Sequence, residues 1–167
     1  MKLTLFNTSN TELMFEMLER CEGVTSVNEH HPEKDTLSHS LQTFNHAMRE
    51  SNDVDVILSA LLHDVGKCIS ALSHEEVAVG ILSDHISAKT SFLIEQHMRI
   101  KLLLNGKMKK RSKVLFLIGH PWLPELILLA RWDIMGRSKN INPVFNKEET
   151  IDRLNSKAIL PRKDISQ

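Results

Sequence analysis

Three features of the sequence predict an all-helical fold. Apolar residues recur three and four positions apart in one segment after another. Capping residues and glycine stops punctuate these segments at lengths ordinary for globular helices. No convincing strand pair, internal repeat, low-complexity block or Gly-rich phosphate loop interrupts them.

At 167 residues the chain is the size of one domain and can bury a real core. Its 41% hydrophobic and 25% charged content is that of an ordinary globular protein. With 21 basic and 21 acidic residues, no net field draws it toward nucleic acid or an anionic membrane. Cys21 and Cys68 lack metal-type spacing and give no disulfide framework. No signal pattern or membrane-length apolar run is present, so a cytoplasmic protein with reduced thiols is expected.

Thr11 is a suitable cap for a first helix to about Arg20, striped by Leu13, Met14, Met17 and Leu18 and ended by Gly23. A polar loop over 23–35 holds His30, His31 and Pro32. Asp35 then caps a second helix to about Glu50. Its apolar face carries Leu37, Leu41, Phe44 and Met48, and the opposite face His39, Thr43 and His46. Periodicity puts both histidines on that polar face and does not choose between them.

A third helix opens near Asp53. From Val54 to Leu62 it lacks any polar alternation, which predicts burial nearly all round. It ends in His63-Asp64-Val-Gly66-Lys67, with Gly66 placed for a left-handed turn. An ionisable pair at the end of a buried helix needs a partner for each group. A His bonded to its neighbouring Asp is the plain reading of such a pair, and a metal ion is the alternative.

Ser73 and Glu76 form a capping-box pattern for a fourth helix to about His85, with His74 in its first turn above Val77, Ala78 and Ile81. A fifth helix, roughly Lys89 to Asn105, places His97 on a face with Leu93, Ile100 and Leu104, and Gly106 ends it. A basic connector over 107–113 runs into an apolar segment at Val114–Ile118. It reads as an exposed loop and lacks the interleaved aromatics of a single-strand nucleic-acid groove. Pro121 and Pro124 break the chain around Trp122 before a last long helix, about Leu123 to Arg137. On it Asp133 shares a stripe with Leu126 and Ala130. Asn146 with Glu149 marks a further helix start, and the tail from about Asn155 reads as polar and mobile.

Six ionisable residues stand apart: His39, His63, Asp64, His74, His97 and Asp133. Four of them, His63, Asp64, His97 and Asp133, lie on faces that otherwise look buried. A shared metal centre satisfies all of them at once.

The ordered set resembles the HD-domain superfamily of metal-dependent phosphohydrolases, with the likeness running from about Asp35 to Arg137. The stretch His31-Pro-Glu-Lys-Asp35-Thr-Leu-Ser-His39 is similar to the entry of the HD region in bacterial CCA-adding enzymes and poly(A) polymerases. So is His120-Pro-Trp-Leu-Pro-Glu-Leu-Ile-Leu-Leu-Ala-Arg131-Trp-Asp133. The nucleotidyltransferase part of those enzymes has no counterpart before Asp35. The implied division is an N-terminal helix and loop over 1–34, an HD metal-binding domain over 35–139, and a C-terminal helix and tail over 140–167, all in one compact helical bundle with the metal centre in its core.

The resemblance implies two divalent ions. His39, His63 and Asp133 would hold one, and Asp64 would bridge to a second held by His74 and His97. His46 is then left without a ligand role, and His30, His31, His85 and His120 have none. Glu75 and Gln42 are candidates to orient an imidazole. Lys67 is the expected partner of an anionic substrate, with Arg99 and Arg131 as further phosphate contacts. Four imidazoles favour Mn, Fe, Co, Ni or Zn over Mg.

The implied function is hydrolysis of a small phosphorylated substrate by metal-bound hydroxide, with Asp64 and Lys67 as the catalytic residues. A nucleotide phosphomonoester or a cyclic phosphodiester comes first. The same ligand set occurs in HD-type diiron oxygenases such as myo-inositol oxygenase, which makes an oxygenase the alternative. There Lys67 matches a substrate-binding lysine, whereas a tyrosine used by a phosphonate-cleaving relative has no counterpart in this tyrosine-free chain. A degenerate HD domain acting as a nucleotide sensor is the third reading, disfavoured by the intact set.

Overall fold

The computed structural model describes residues 5–25 and 35–158, and among them are eight α-helices and no strand. These are α1 (Thr8–Glu19), α2 (Thr36–Glu50), α3 (Val54–Leu62), α4 (His74–Leu82), α5 (Ala88–Leu104), α6 (Arg111–Ile118), α7 (Leu123–Met135) and α8 (Lys147–Ala158). A single 3-10 turn, Val65–Cys68, follows α3. The all-helical expectation holds.

Helix α3 is the axis of the bundle, packed against α2, α5, α7 and α8. None of its residues from Val56 to Leu62 is more than 3% exposed, as a segment apolar but for Ser59 predicts. Each buried Leu or Ile there contributes about 2 kcal/mol, which fixes the helix whose end carries His63 and Asp64. Asp35 caps α2 by accepting from the Ser38 N–H at 2.8 Å, and its other oxygen accepts from the Gly23 N–H at 2.8 Å. That one side chain ties the turn after α1 to the start of α2. Asp53 and Ser87 cap α3 and α5 in the same way.

Several local expectations are corrected. Asn7, not Thr11, caps α1: Asn7 and Asn10 each accept the other's backbone N–H, while the buried Thr11 hydroxyl donates to the Asn7 carbonyl. Ser73 takes a left-handed φ of 51° and makes no capping bond, and α4 stops at Leu82 rather than near His85. Leu104 is 55% exposed and leaves the stripe it was assigned to. Residues 111–113 are the first turn of α6 rather than loop. Asn155 lies within α8 and exchanges hydrogen bonds with the Phe6 backbone. His30 and His31, and the tail beyond Ala158, fall outside the described residues.

The face of α2 expected to be polar and solvated is turned inward instead. His39 and Thr43 are buried, because α2 lies between α3 and α7 and covers a face against each. Its apolar residues Leu37 and Met48 are only half-buried.

Gly66 is not left-handed. A Cβ there would collide with the His74 carbonyl oxygen and stand 2.8 Å from the carbonyl carbon, so only glycine lets the 3-10 turn lie against α4. Gly80, on the exposed side of α4, faces open space. Gly66→Ala is therefore expected to cost about 3 kcal/mol through overpacking, roughly 9 °C in Tm for a chain of this size. Gly80→Ala is expected to leave Tm unchanged or raise it, by up to about 1 kcal/mol. Thermal melts of the two variants side by side check the contrast, and equal Tm values would contradict it.

Candidate metal centre

The α3 axis delivers His63 and Asp64 to the middle of the molecule. Helix α2 brings His39 from one side, α5 brings His97 and α7 brings Asp133. The first residue of α4 is His74, turned in by the sharp bend at Ser73. All six side chains converge, and none of the six residues is more than 5% exposed.

Asp64 stands at the centre. Its Oδ1 lies 3.0 Å from His74 Nε2 and 3.6 Å from His97 Nε2. Its Oδ2 lies 3.6 Å from His39 Nε2 and 3.5 Å from His63 Nε2. One oxygen therefore faces each imidazole pair. Asp133 approaches the first pair, with Oδ1 3.3 Å from His39 Nε2 and Oδ2 3.9 Å from His63 Nε2.

Every imidazole directs Nδ1 at a backbone carbonyl: His39 to Gly136 at 3.0 Å, His63 to Ala60 at 3.0 Å, His74 to Ala71 at 3.4 Å and His97 to Ile94 at 2.6 Å. A carbonyl oxygen only accepts, so each Nδ1 carries the proton and donates it. In the neutral ring Nε2 then holds a lone pair, and all four lone pairs point inward.

The Nε2 atoms of His39 and His63 are 3.2 Å apart, and those of His74 and His97 are 3.3 Å apart. Facing lone pairs at that distance repel each other unless a cation sits between them. Two nitrogens bound to one ion at about 2.1 Å stand roughly 3.0–3.4 Å from each other. The residues thus fit a divalent metal in two groups, His39-His63-Asp64 and Asp64-His74-His97, which share Asp64.

The electrostatics agree. Burial pushes His63 down to about 3, which keeps it neutral and able to ligate near pH 7. For Asp64 burial opposes ionisation, but His63, His74, His97 and Lys67 hold the carboxyl well below its usual range. Asp133 behaves alike, with burial outweighed by His39 and Lys101. Burial also works against charging His39, yet Asp133 and Asp64 raise its pKa. A field that favours a proton there favours a metal ion in the same place.

The remaining residues expected at the site divide. Lys67 reaches it, with Nζ 2.6 Å from Asp64 Oδ2. Glu75 stands beside His74, its Oε2 3.6 Å from Nδ1. Gln42 touches no imidazole among its hydrogen bonds and instead binds the Ser138 and Ile141 backbone. Arg99 is directed to Gln96 and Glu76, and Arg131 pairs with Glu50 on the exposed side of α7. Each arginine is two residues from a ligand, about 200° around its helix, which carries it to the far face. His46 is half-buried and bonds Arg49. The basic segment lends Met108, Ser112 and Lys113 to a cleft beside Arg99.

Two residues went unread in the sequence. Lys101 pairs with Asp133 Oδ2, and Arg137 donates to Asp133 Oδ1 at 3.0 Å. Their signal is an offset of four positions after a cluster member: Lys101 follows His97 by one turn of α5, and Arg137 follows Asp133 just past the end of α7.

Because Asp64 serves both groups, Asp64→Ala is expected to reduce bound metal to a background level. His46→Ala is expected to keep wild-type content, and His39→Ala to lose metal from one group. Elemental analysis of the purified variants decides, and metal loss in His46→Ala with retention in His39→Ala would reverse the assignment on α2.

The HD domain family model matches residues 36–135, from the first residue of α2 to the last of α7. Over 124 residues the chain is 32% identical to a multifunctional CCA protein of Methylococcus capsulatus. That alignment covers 67% of this chain and 29% of the CCA protein, so the chain spans less than a third of that relative. The buried His-Asp cluster lies at the heart of the matched helices, and the chain belongs to the HD-domain superfamily of metal-dependent phosphohydrolases.

Proposed function

We propose that the protein hydrolyses a small phosphorylated substrate, a nucleotide phosphomonoester or a cyclic phosphodiester, with the cluster holding two divalent ions. The observation that carries this reading is the shared Asp64, one oxygen toward each pair of inward-facing Nε2 atoms. Such ions supply Lewis-acid polarisation of a phosphoryl oxygen and a water of lowered pKa. Imidazole-rich donors favour Mn, Fe, Co, Ni or Zn.

The chain's own residues perform the remaining tasks. The four backbone carbonyls fix each ring in the tautomer that presents Nε2. Complete burial of His63 and His97 keeps bulk water from competing for those lone pairs. Lys67, with its side chain 15% exposed, places an ammonium beside the buried Asp64 and within reach of solvent, which suits an anionic substrate. Resemblance to the HD region of CCA-adding enzymes makes nucleotides the first substrates to try.

The four-His, two-Asp set is also that of HD-type oxygenases, so the decisive assay separates the two chemistries. Protein loaded with Mn, Co or Ni under anaerobic conditions is offered a panel of nucleotides and cyclic nucleotides. The expected result is oxygen-independent phosphate release or ring opening, lost in Asp64→Ala. Copurified iron with substrate-dependent O2 uptake, and no hydrolysis across the panel, would overturn the proposal in favour of the oxygenase.

A further inference from the structure

Among the described residues three cations border the cluster, and each stands three or four positions after one of its members. Lys67 follows Asp64 by three positions, Lys101 follows His97 by four, and Arg137 follows Asp133 by four. Lys101 is stacked over His97 on one face of α5, Lys67 lies in the 3-10 turn after Asp64, and Arg137 lies just past the end of α7 and reaches back to Asp133. All three side chains are partly open to solvent, at 15%, 22% and 21%, above carboxylates that are 4% and 2% exposed. The buried residues form the floor of the site, and the three cations form its rim.

The rim's contacts include the floor's carboxylates: Lys67 with Asp64, and Lys101 and Arg137 with Asp133. Among the described residues, the carboxylates of Asp64, Asp133 and Glu75 face these three cations and His74. Each divalent ion bound by the floor adds two positive charges beside these cations. A carboxylate drawn toward such an ion holds an ammonium or guanidinium less tightly. These long side chains can then turn donors outward to an incoming anion. Arg137 offers a planar pair of donors suited to two oxygens of one phosphate.

We propose that Lys101 and Arg137, together with Lys67, form a binding site for a dianionic terminal phosphate and make the protein selective for phosphomonoesters over monoanionic diesters. The substrate class rests on the phosphohydrolase reading, whereas the rim's affinity for phosphate does not. A second fixed charge on the ligand gains attraction from all three cations, while a diester presents one charge and esterified oxygens.

The test is calorimetry on metal-loaded protein with two non-reacting probes, inorganic phosphate and dimethyl phosphate. Wild type is expected to bind phosphate at least about tenfold more tightly than dimethyl phosphate. Lys101→Gln and Arg137→Gln should each weaken phosphate binding by about 10- to 100-fold while metal content stays at the wild-type level. Lys101→Arg keeps the charge and should keep most of the affinity. If either Gln variant melts early or loses metal, the comparison passes to Arg137→Lys, which retains the charge but not the fork and should lose severalfold. Phosphate affinity unchanged in these variants, or equal binding of the two probes by wild type, would overturn the proposal. Tight phosphate binding without turnover of any substrate would sink the hydrolase reading and leave the rim standing. Turnover with unaltered variants would do the reverse.

Discussion

The Asp64 carboxylate, buried and shared between two imidazole pairs, is the constraint on which the rest of the molecule depends. Taking an ionised carboxylate out of water costs several kcal/mol unless cations and donors surround it. Its neighbours include four imidazoles whose Nδ1 protons are committed to backbone carbonyls, so they compensate it only while Nε2 carries a proton or faces a cation. Lys67 supplies one cation at 2.6 Å. The two His-Asp groups could hold divalent metal, which would supply the rest of the compensation and relieve the repulsion among the lone pairs. Much of the local structure serves this arrangement. Helix α3 must be apolar on every side to carry the pair inward, and Gly66 must lack a side chain for the turn after Asp64 to pass beneath His74.

How much of this is legible in the sequence depends on whether a helix buries one face or two. His97 and Asp133 stand on single apolar stripes, so an ionisable residue there is conspicuous. The same is true of His63 and Asp64 at the end of a segment apolar but for Ser59. His39 is different. On α2 the obvious apolar stripe is partly solvated at Leu37 and Met48, while His39 and Thr43 face inward. Periodicity finds one buried face and has no means of finding a second made of polar groups that satisfy one another. Only the resemblance to the HD superfamily selects His39 over His46. Capping residues misled for a related reason. Ser73 suits a helix cap by type, but its backbone is set by the close approach of the 3-10 turn to α4.

The cations show a different limit. Lysines and arginines near helix ends are normally solvated, so composition gives no reason to prefer Lys101 over Lys107, or Arg137 over Arg131. What separates Lys101 from the two misread arginines is angular, whereas Arg137 lies past the end of α7 and reaches back to Asp133. Four residues along a helix return to nearly the same face, and two residues cross to the opposite one. Arg99 and Arg131 were attractive because they are close in sequence to His97 and Asp133, yet that short separation is what turns them away.

Placement of Asp133 shows why Arg131 matters without touching the centre. Asp133 belongs to a helix far along the chain and must arrive over His39 and His63 within tenths of an ångström. Helix α2 acts as its ruler. Near one end of α2, Glu50 accepts from Arg131 and from Trp132 Nε1 at 3.1 Å, on the two residues before Asp133. A turn or two back, Thr43 meets Gly136 so closely that a Cβ on the glycine would overlap the Thr43 hydroxyl, and the Gly136 carbonyl accepts from His39 Nδ1. Gln42 then holds the Ser138 backbone in both directions. These contacts bracket Asp133 on either side along α7 and couple its position to the ring of His39. A small residue at 136 is therefore as necessary to the site as the carboxylate it positions: any side chain there would lift α7 from α2 and carry Asp133 away from both imidazoles.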